Sequence, residues 1–274
     1  MTSLTRNDWS FPIDNNLKWS IRGGSSGLVL GPTGSGKTQL LGYAALELLK
    51  KKAKIIIIDT KRSDFFGLSR FLIKSSGIPR GVSKPNQVAM VLRQLNELQN
   101  NRYESFNQHF GWDWCRYNLR PVICIFDEIT ATLIEARNED RKVWKEIINY
   151  LYSLVLKARQ LGGIYLFIAT QRITSEQLDK NLTDQMQTRV LMGSTAQDKI
   201  SLKLAFPDAD LDEIPEIIDS SPGRGLFYSD QLGMQIPLPF VAPDITGVDI
   251  VELFKVLDRR SEKNDFRKEE YWPF

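Results

Sequence analysis

The sequence predicts an α/β fold in which a mostly parallel sheet carries helices on both faces. Short β-branched apolar runs alternate along the chain with helical patterns, as they do where strands are covered on both sides. With 274 residues, 42% of them hydrophobic, the chain is long and apolar enough to bury one full α/β core.

The strands are expected at Gly27 to Leu30, Lys54 to Asp59, Val122 to Asp127, Ile164 to Thr170 and Thr188 to Met192, with an addition at Gly225 to Tyr228. A helical pattern from Gln39 to Lys50 follows the first strand. Between the second and third strands lie about sixty residues, too many for a simple crossover. They include a polar helix, Asn86 to Phe110, expected to carry a function of its own. Trp144, Ile147, Ile148, Leu151, Leu154 and Val155 recur at three- and four-residue spacing and predict one long helix from Glu139 to Leu161, ended by Gly162-Gly163. Residues 1–24 read as an arm whose Trp9, Phe11 and Trp19 pack on the sheet or on a neighbour. Residues 25–241 read as the main domain, with the insertion at about 62–120. Residues 242–274 hold a short amphipathic pattern, Val248 to Val256, and a charged run from Arg259 to Glu270 that is expected to be solvated.

Composition narrows the chemistry. Lysine and arginine number 36 against 33 aspartates and glutamates, a net +3, so any grip on a polyanion must be local or repeated by oligomerisation. Two cysteines and one histidine assemble no Cys/His zinc set. Cys124 reads as a buried small hydrophobe, Cys115 sits among aromatics, and a pair of thiols fits a reducing compartment. Nothing near His109 completes a catalytic triad, so it reads as a surface residue. No apolar run approaches the ~20 residues of a membrane helix, and the amino terminus lacks the pattern of a secretion signal. The chain therefore reads as cytoplasmic, without a membrane span of its own.

Between the apolar run Leu28-Val29-Leu30 and the first helical pattern stands Gly31-Pro32-Thr33-Gly34-Ser35-Gly36-Lys37-Thr38, which satisfies G-x-x-x-x-G-K-[ST] in a strand–loop–helix context. Glycines let backbone N–H groups turn inward around a triphosphate, Lys37 reaches the outer phosphates, and the Thr38 hydroxyl ligates Mg²⁺. Gly31 through Lys37, with Thr38 and Gln39, form the expected ATP cradle. Val122 to Phe126 is an apolar strand ending in Asp127-Glu128. Behind a P-loop, a carboxylate at that tip holds Mg²⁺ and the next polarises the attacking water. Asp127 is the expected metal-side acid and Glu128 the general base.

These motifs resemble the FtsK/SpoIIIE motor domain of the FtsK/HerA ATPases. The resemblance runs through the P-loop, Ile58-Asp59-Thr60-Lys61, Phe126-Asp127-Glu128, Lys157-Ala158-Arg159-Gln160-Leu161-Gly162-Gly163-Ile164 and Ala169-Thr170-Gln171-Arg172, in matching order and spacing. Asn101-Arg102-Tyr103, Arg116-Tyr117-Asn118, Thr188-Arg189-Val190 and Gly223-Arg224-Gly225-Leu226-Phe227-Tyr228 extend it over roughly residues 25–230. It implies a RecA-like, additional-strand P-loop NTPase, in which the strand between the P-loop strand and the acid-tipped strand ends in a polar sensor. Gln171 takes that place, in reach of the γ-phosphate and the lytic water; the alternative is a loop glutamine without a role. It also implies a homohexameric ring that hydrolyses ATP between subunits and pulls double-stranded DNA through its pore. Arg159, in the A-R-x-x-G position, would then reach into a neighbour's active site, with Arg172 and Arg189 as substitutes; the alternative is a surface arginine near a helix C-terminus. Two departures stand out. The chain is expected to lack the membrane spans and the winged-helix domain of FtsK, since the last expected strand ends near Asp230 and the residues after it are too few for such a domain. Where the family carries Ser-Ser-Lys after the strand of Arg189, this chain has Gly193-Ser194-Thr195-Ala196-Gln197, leaving Lys199 as the substitute lysine. The expected function is ATP-driven translocation of double-stranded DNA in conjugative transfer or mobilisation of a plasmid or other mobile element, with a relaxase or membrane channel as partner. Viral genome packaging is the alternative motor function, and a non-translocating ATPase switch or scaffold the alternative from another class.

Overall fold

The computed structural model describes residues 8–72, 80–171 and 180–273. In chain order its elements are β1 (Ser10–Pro12), β2 (Lys18–Ser20), β3 (Ser26–Leu30), α1 (Lys37–Lys50), β4 (Lys54–Asp59), α2 (Asp64–Ser69), β5 (Gly81–Val82), α3 (Pro85–Phe106), β6 (Val122–Asp127), α4 (Ile129–Glu139), α5 (Arg141–Lys157), β7 (Ile164–Thr170), α6 (Lys180–Asp184), β8 (Thr188–Met192), α7 (Lys199–Ala205), β9 (Arg224–Ser229), β10 (Leu238–Val241) and α8 (Ile250–Glu262). An eight-stranded sheet runs in the order β10-β9-β8-β3-β7-β6-β4-β5. From β8 to β5 every pairing is parallel, while β9 and β10 are antiparallel additions.

Alternation along the central strands explains the two covered faces. Ile56, Ile58, Cys124, Phe126, Leu166 and Ile168 point into a core shared with α3, α4 and α5, whereas Ile55, Ile57, Ile123, Ile125 and Phe167 point into a second core with α1 and α8. The six expected strands all form. β5 and β10 were not expected: one has only two residues, and the other carries Pro239, which removes a ladder donor and suits an edge. The amino-terminal segment folds as the hairpin β1–β2 and packs on the sheet, burying Trp9, Phe11, Ile13, Trp19 and Ile21. Among the described residues no helix is long and apolar enough to cross a membrane.

Two helices differ from expectation. The segment 139–161 is broken at Asp140, whose extended backbone (φ −154°) ends α4 and whose carboxylate accepts from Lys142 N to start α5. The last turn, Ala158–Gly162, is a π-helical turn, closed by Gly163 in the left-handed region (φ 58°). The polar helix is α3, ending at Phe106 rather than Phe110, and it is an integral layer. Val88, Leu92, Leu95 and Leu98 enter the core, and Arg102 is fully buried. His109, beyond its end, stacks on Trp112 at 4.3 Å.

The charged carboxy-terminal run is not simply solvated. Glu262 accepts from buried Lys54 at 2.8 Å and Glu269 accepts from Arg102 Nε and Nη2 at 2.9 and 2.7 Å, while Asp258, just before the run, pairs with Arg80. The Arg102 guanidinium also donates to the carbonyls of Gly162 and Arg120 and lies 5.6 Å from the Trp272 ring centroid. Buried cations far away in sequence need counter-ions, and local composition does not reveal that demand. Replacing Glu269 with glutamine strands a buried guanidinium, so Glu269→Gln is expected to lower stability by about 3 kcal/mol in equilibrium urea unfolding.

Candidate active site

The site is assembled at the carboxyl edge of β3, β7, β6 and β4, the usual place for a ligand in an open α/β sheet. β3 runs into the Gly-rich loop, where Gly31 N donates to Thr170 O (3.3 Å) and Ser35 N to Pro32 O (3.2 Å). Gly36 adopts φ 95°, and a Cβ there would stand 2.7 Å from Gly223 N, so only glycine fits. Gly223 N in turn donates to Ser35 O (2.9 Å) and Ala242 N to Gly223 O (2.7 Å); the turn before β9 thereby clasps the loop from behind. The loop opens into the amino terminus of α1, where free backbone N–H groups favour anions.

A cleft of about 540 Å³ lies over the loop, lined by Pro32, Thr33, Gly34, Gly36, Lys37, Thr38, Gln39, Lys61, Ser63, Asp127, Glu128, Gln171 and Pro222. Of the expected cradle, Gly31 and Ser35 sit behind this surface, the first giving its carbonyl to Lys37 and the second its carbonyl to Gly223. Lys37 donates to the carbonyls of Gly31 and Pro32, the latter at 3.0 Å. Burial lowers the pKa of its ammonium, a loss that Glu128 and Asp127 oppose and Lys61 deepens.

Three acids meet at the floor. Asp59 and Asp127 are register partners on β4 and β6, and Glu128 follows. Burial and then the Asp59 carboxylate push the pKa of Asp127 up to about 6, against the Ser63 hydrogen bond and Lys37. Such a carboxylate cluster is short of positive charge. A hard divalent cation would supply it, and Asp127 and Thr38, which line the same cleft, are the residues that would hold Mg²⁺ there. Among the described residues no group of three or more His, Cys, Asp or Glu is placed to hold a metal ion by itself.

Glu128 takes φ 54°, uncommon for a residue with a side chain, and its carboxylate explains how that backbone is held. Oε1 accepts from Thr130 Oγ1 (2.8 Å), Thr170 Oγ1 (2.8 Å) and Gln171 N (3.2 Å), and Oε2 accepts from Lys61 Nζ (3.0 Å). Burial works to raise its pKa, but the hydrogen bonds from Thr170, Lys61, Thr130 and Gln171 outweigh it and hold the carboxylate ionised below its ordinary range. Gln171 lines the cleft beside it.

The candidate arginines part company. Arg159 is exposed on the π-helical turn before β7, at the opposite end of that strand from Gln171. The length of β7 keeps it about 20 Å from its own cleft. Arg189 is buried and donates to the carbonyls of Met186 (3.0 Å), Ala205 (2.8 Å) and Thr183 (3.1 Å). Its guanidinium is a brace for the β8 region and cannot substitute for Arg159. Arg172 lies outside the described residues, and Lys199 is exposed at the start of α7.

Lys61, Ser63, Thr130, Thr170 and Pro222 were not singled out by residue as site groups. Thr170 and Lys61 lie inside Ala169-Thr170-Gln171-Arg172 and Ile58-Asp59-Thr60-Lys61, but their contacts with Glu128 depend on strand order; Thr130 and Pro222 carry no signal beyond closeness in sequence to Glu128 and Gly223.

Residues 25–227 match the family described as helicase HerA, central domain. The FtsK domain-containing protein YdcQ of Bacillus subtilis is 27% identical over 186 residues, covering 66% of this chain and 37% of that protein, so the chain spans little more than a third of its relative. Among solved structures, the pCW3 conjugation coupling protein TcpA, in a monomer form with ATPγS, superposes with a TM-score of 0.72 at 19% identity, over 91% of this chain and 70% of that one. The cytoplasmic domain of the Thermomonospora curvata type VII secretion ATPase EccC gives 0.63 at 20% identity, over 93% and 31%. These structural likenesses speak for the fold, and the family match spans well over half of the sequence: the chain belongs to the FtsK/HerA superfamily of P-loop ATPases.

Proposed function

We propose that this chain is the ATP-hydrolysing motor of a homohexameric ring that moves double-stranded DNA. The observation that carries the reading is the division of the site between two ends of the molecule. The P-loop, Asp127, Glu128 and Gln171 share one cleft, while Arg159 projects from the far edge of the sheet, where it can serve a neighbour's cleft and not its own. In this reading the loop and Lys37 cradle the triphosphate, Thr38 and Asp127 hold Mg²⁺, Glu128 takes the proton of the attacking water, and Gln171 orients that water against the γ-phosphate. A metal held there would neutralise phosphate charge. Arg159 of one subunit stabilises that charge in the next. Conjugative transfer or mobilisation is the favoured setting, supported by the likeness to TcpA, described as a conjugation coupling protein, and to an FtsK domain-containing relative. A relaxase or membrane channel is the partner proposed for such a motor.

Lys37→Ala is expected to lose nucleotide binding and turnover together, whereas Glu128→Gln keeps ATP affinity and loses turnover by roughly 10²- to 10⁴-fold, as measured by calorimetry and phosphate release. Long duplex DNA is expected to stimulate the ATPase and to bind without sequence preference, with an affinity that falls steeply between about 50 and 200 mM salt; an unstimulated rate favours the switch or scaffold. Arg159→Ala is expected to retain ATP affinity and drop turnover by about 10³-fold or more. Mixing it with Glu128→Gln subunits then restores activity at interfaces that pair an intact cleft with an intact arginine. Mixed rings no more active than the separate variants would remove Arg159 from this role.

A further inference from the structure

Lys61 lies two residues beyond the end of β4, and its ammonium donates to Glu128 Oε2 at 3.0 Å while the side chain remains 44% exposed. The other oxygen of Glu128 is already held by Thr130, Thr170 and Gln171 N, so the carboxylate is anchored without Lys61. What Lys61 adds is neutralisation of its outward-facing side. Lys61 also lines the cleft with the P-loop and Lys37, and it is close enough to Lys37 to disfavour that residue's charge. A half-exposed ammonium on a flexible four-carbon stem loses little by changing partners. A γ-phosphate entering the cleft offers it about two negative charges against the single charge of the carboxylate. A nucleoside diphosphate lacks that group.

The geometry points to Lys61 as a γ-phosphate ligand that exchanges partners: it rests on Glu128 while the outer phosphate position is empty, and moves to the γ-phosphate when a triphosphate binds, leaving the outer oxygen of Glu128 open to water. The inference rests on the ATPase reading of this cleft and adds a discriminating role to it. Lys37, seated on the loop carbonyls beneath the phosphates, serves both nucleotides; Lys61 distinguishes three phosphates from two and couples that distinction to the general base. Within a ring, subunits holding ADP would keep Glu128 paired.

Calorimetric titration of the full chain with Mg²⁺ and either AMP-PNP or ADP tests this. Lys61→Ala is expected to weaken AMP-PNP binding by roughly tenfold to a hundredfold, the loss of one charge-assisted hydrogen bond, while ADP affinity changes by less than about twofold. Lys61→Arg is expected to keep most of the discrimination. In the Glu128→Gln background Lys61 no longer leaves a carboxylate, so the Lys61→Ala loss for AMP-PNP is expected to be larger than in the wild type. Equal losses for the two nucleotides, or none, would overturn the γ-phosphate contact. An AMP-PNP loss of the same size in both backgrounds would overturn the exchange. A wild-type chain that binds neither nucleotide would overturn the ATPase reading itself, a result distinct from tight binding without discrimination. Because Lys61 is half exposed and outside the core, an unchanged melting temperature is expected for Lys61→Ala and separates these outcomes from unfolding.

Discussion

The site depends on the parallel pairing of β7 between β3 and β6. Leu30 stands opposite Thr170 on one side of β7, and Phe126 opposite Ile168 on the other. This register delivers the Thr170 hydroxyl and the Gln171 N–H to Glu128 while the preceding residues fill both cores. A slip of one residue reverses every side chain of the strand, turning Thr170 off the carboxylate and the apolar set onto the wrong face. Glu128, only 7% exposed, must be hydrogen-bonded to stay charged, and β7 with the residue that follows it supplies two of its four partners. The P-loop is tied to the same strand through Gly31 N and Thr170 O, so phosphate cradle and acid are held by one element.

The opposite edge of the sheet is built with comparable care. The π-helical turn carrying Arg159 and the end of α5 before it are gripped by the insertion: Tyr103 Oη donates to Lys157 O (2.8 Å), Trp114 N to Gln160 O (2.9 Å), and Arg102 to Gly162 O. Glu269 fixes the Arg102 guanidinium from the carboxy-terminal segment. The insertion and the tail, which read in sequence as separate appendages, therefore meet under this turn. A rigid base for an exposed arginine fits the trans role proposed for it, because a guanidinium that must meet developing charge in another subunit gains from being held in place. Arg189 illustrates the contrary use, its donors spent on carbonyls of its own chain.

Much of this was legible in the linear chain. The P-loop, the acid-tipped strand and the five central strands announce themselves because each needs a local pattern: glycines at positive φ, a run of buried β-branched residues, or a helical repeat on one face. Less legible were β5 and β10, too short or too proline-marked to carry a period, and the break at Asp140, where a single capping carboxylate interrupts an otherwise continuous apolar spacing. The charged tail misled because a run of alternating charges looks the same whether water or buried cations will receive it.

By itself the sequence marked the P-loop and the acid-tipped strand, since those patterns need particular residue types at fixed short spacings, and it determined the alternation that places a helical layer on each face. Tertiary structure decided which residues meet. That Lys61 and Thr170 converge on Glu128 and that Glu269 neutralises Arg102 are contacts between segments tens to more than a hundred residues apart. They are fixed by strand order and by the cost of leaving a buried charge without a partner, and neither is written in any local stretch of the chain.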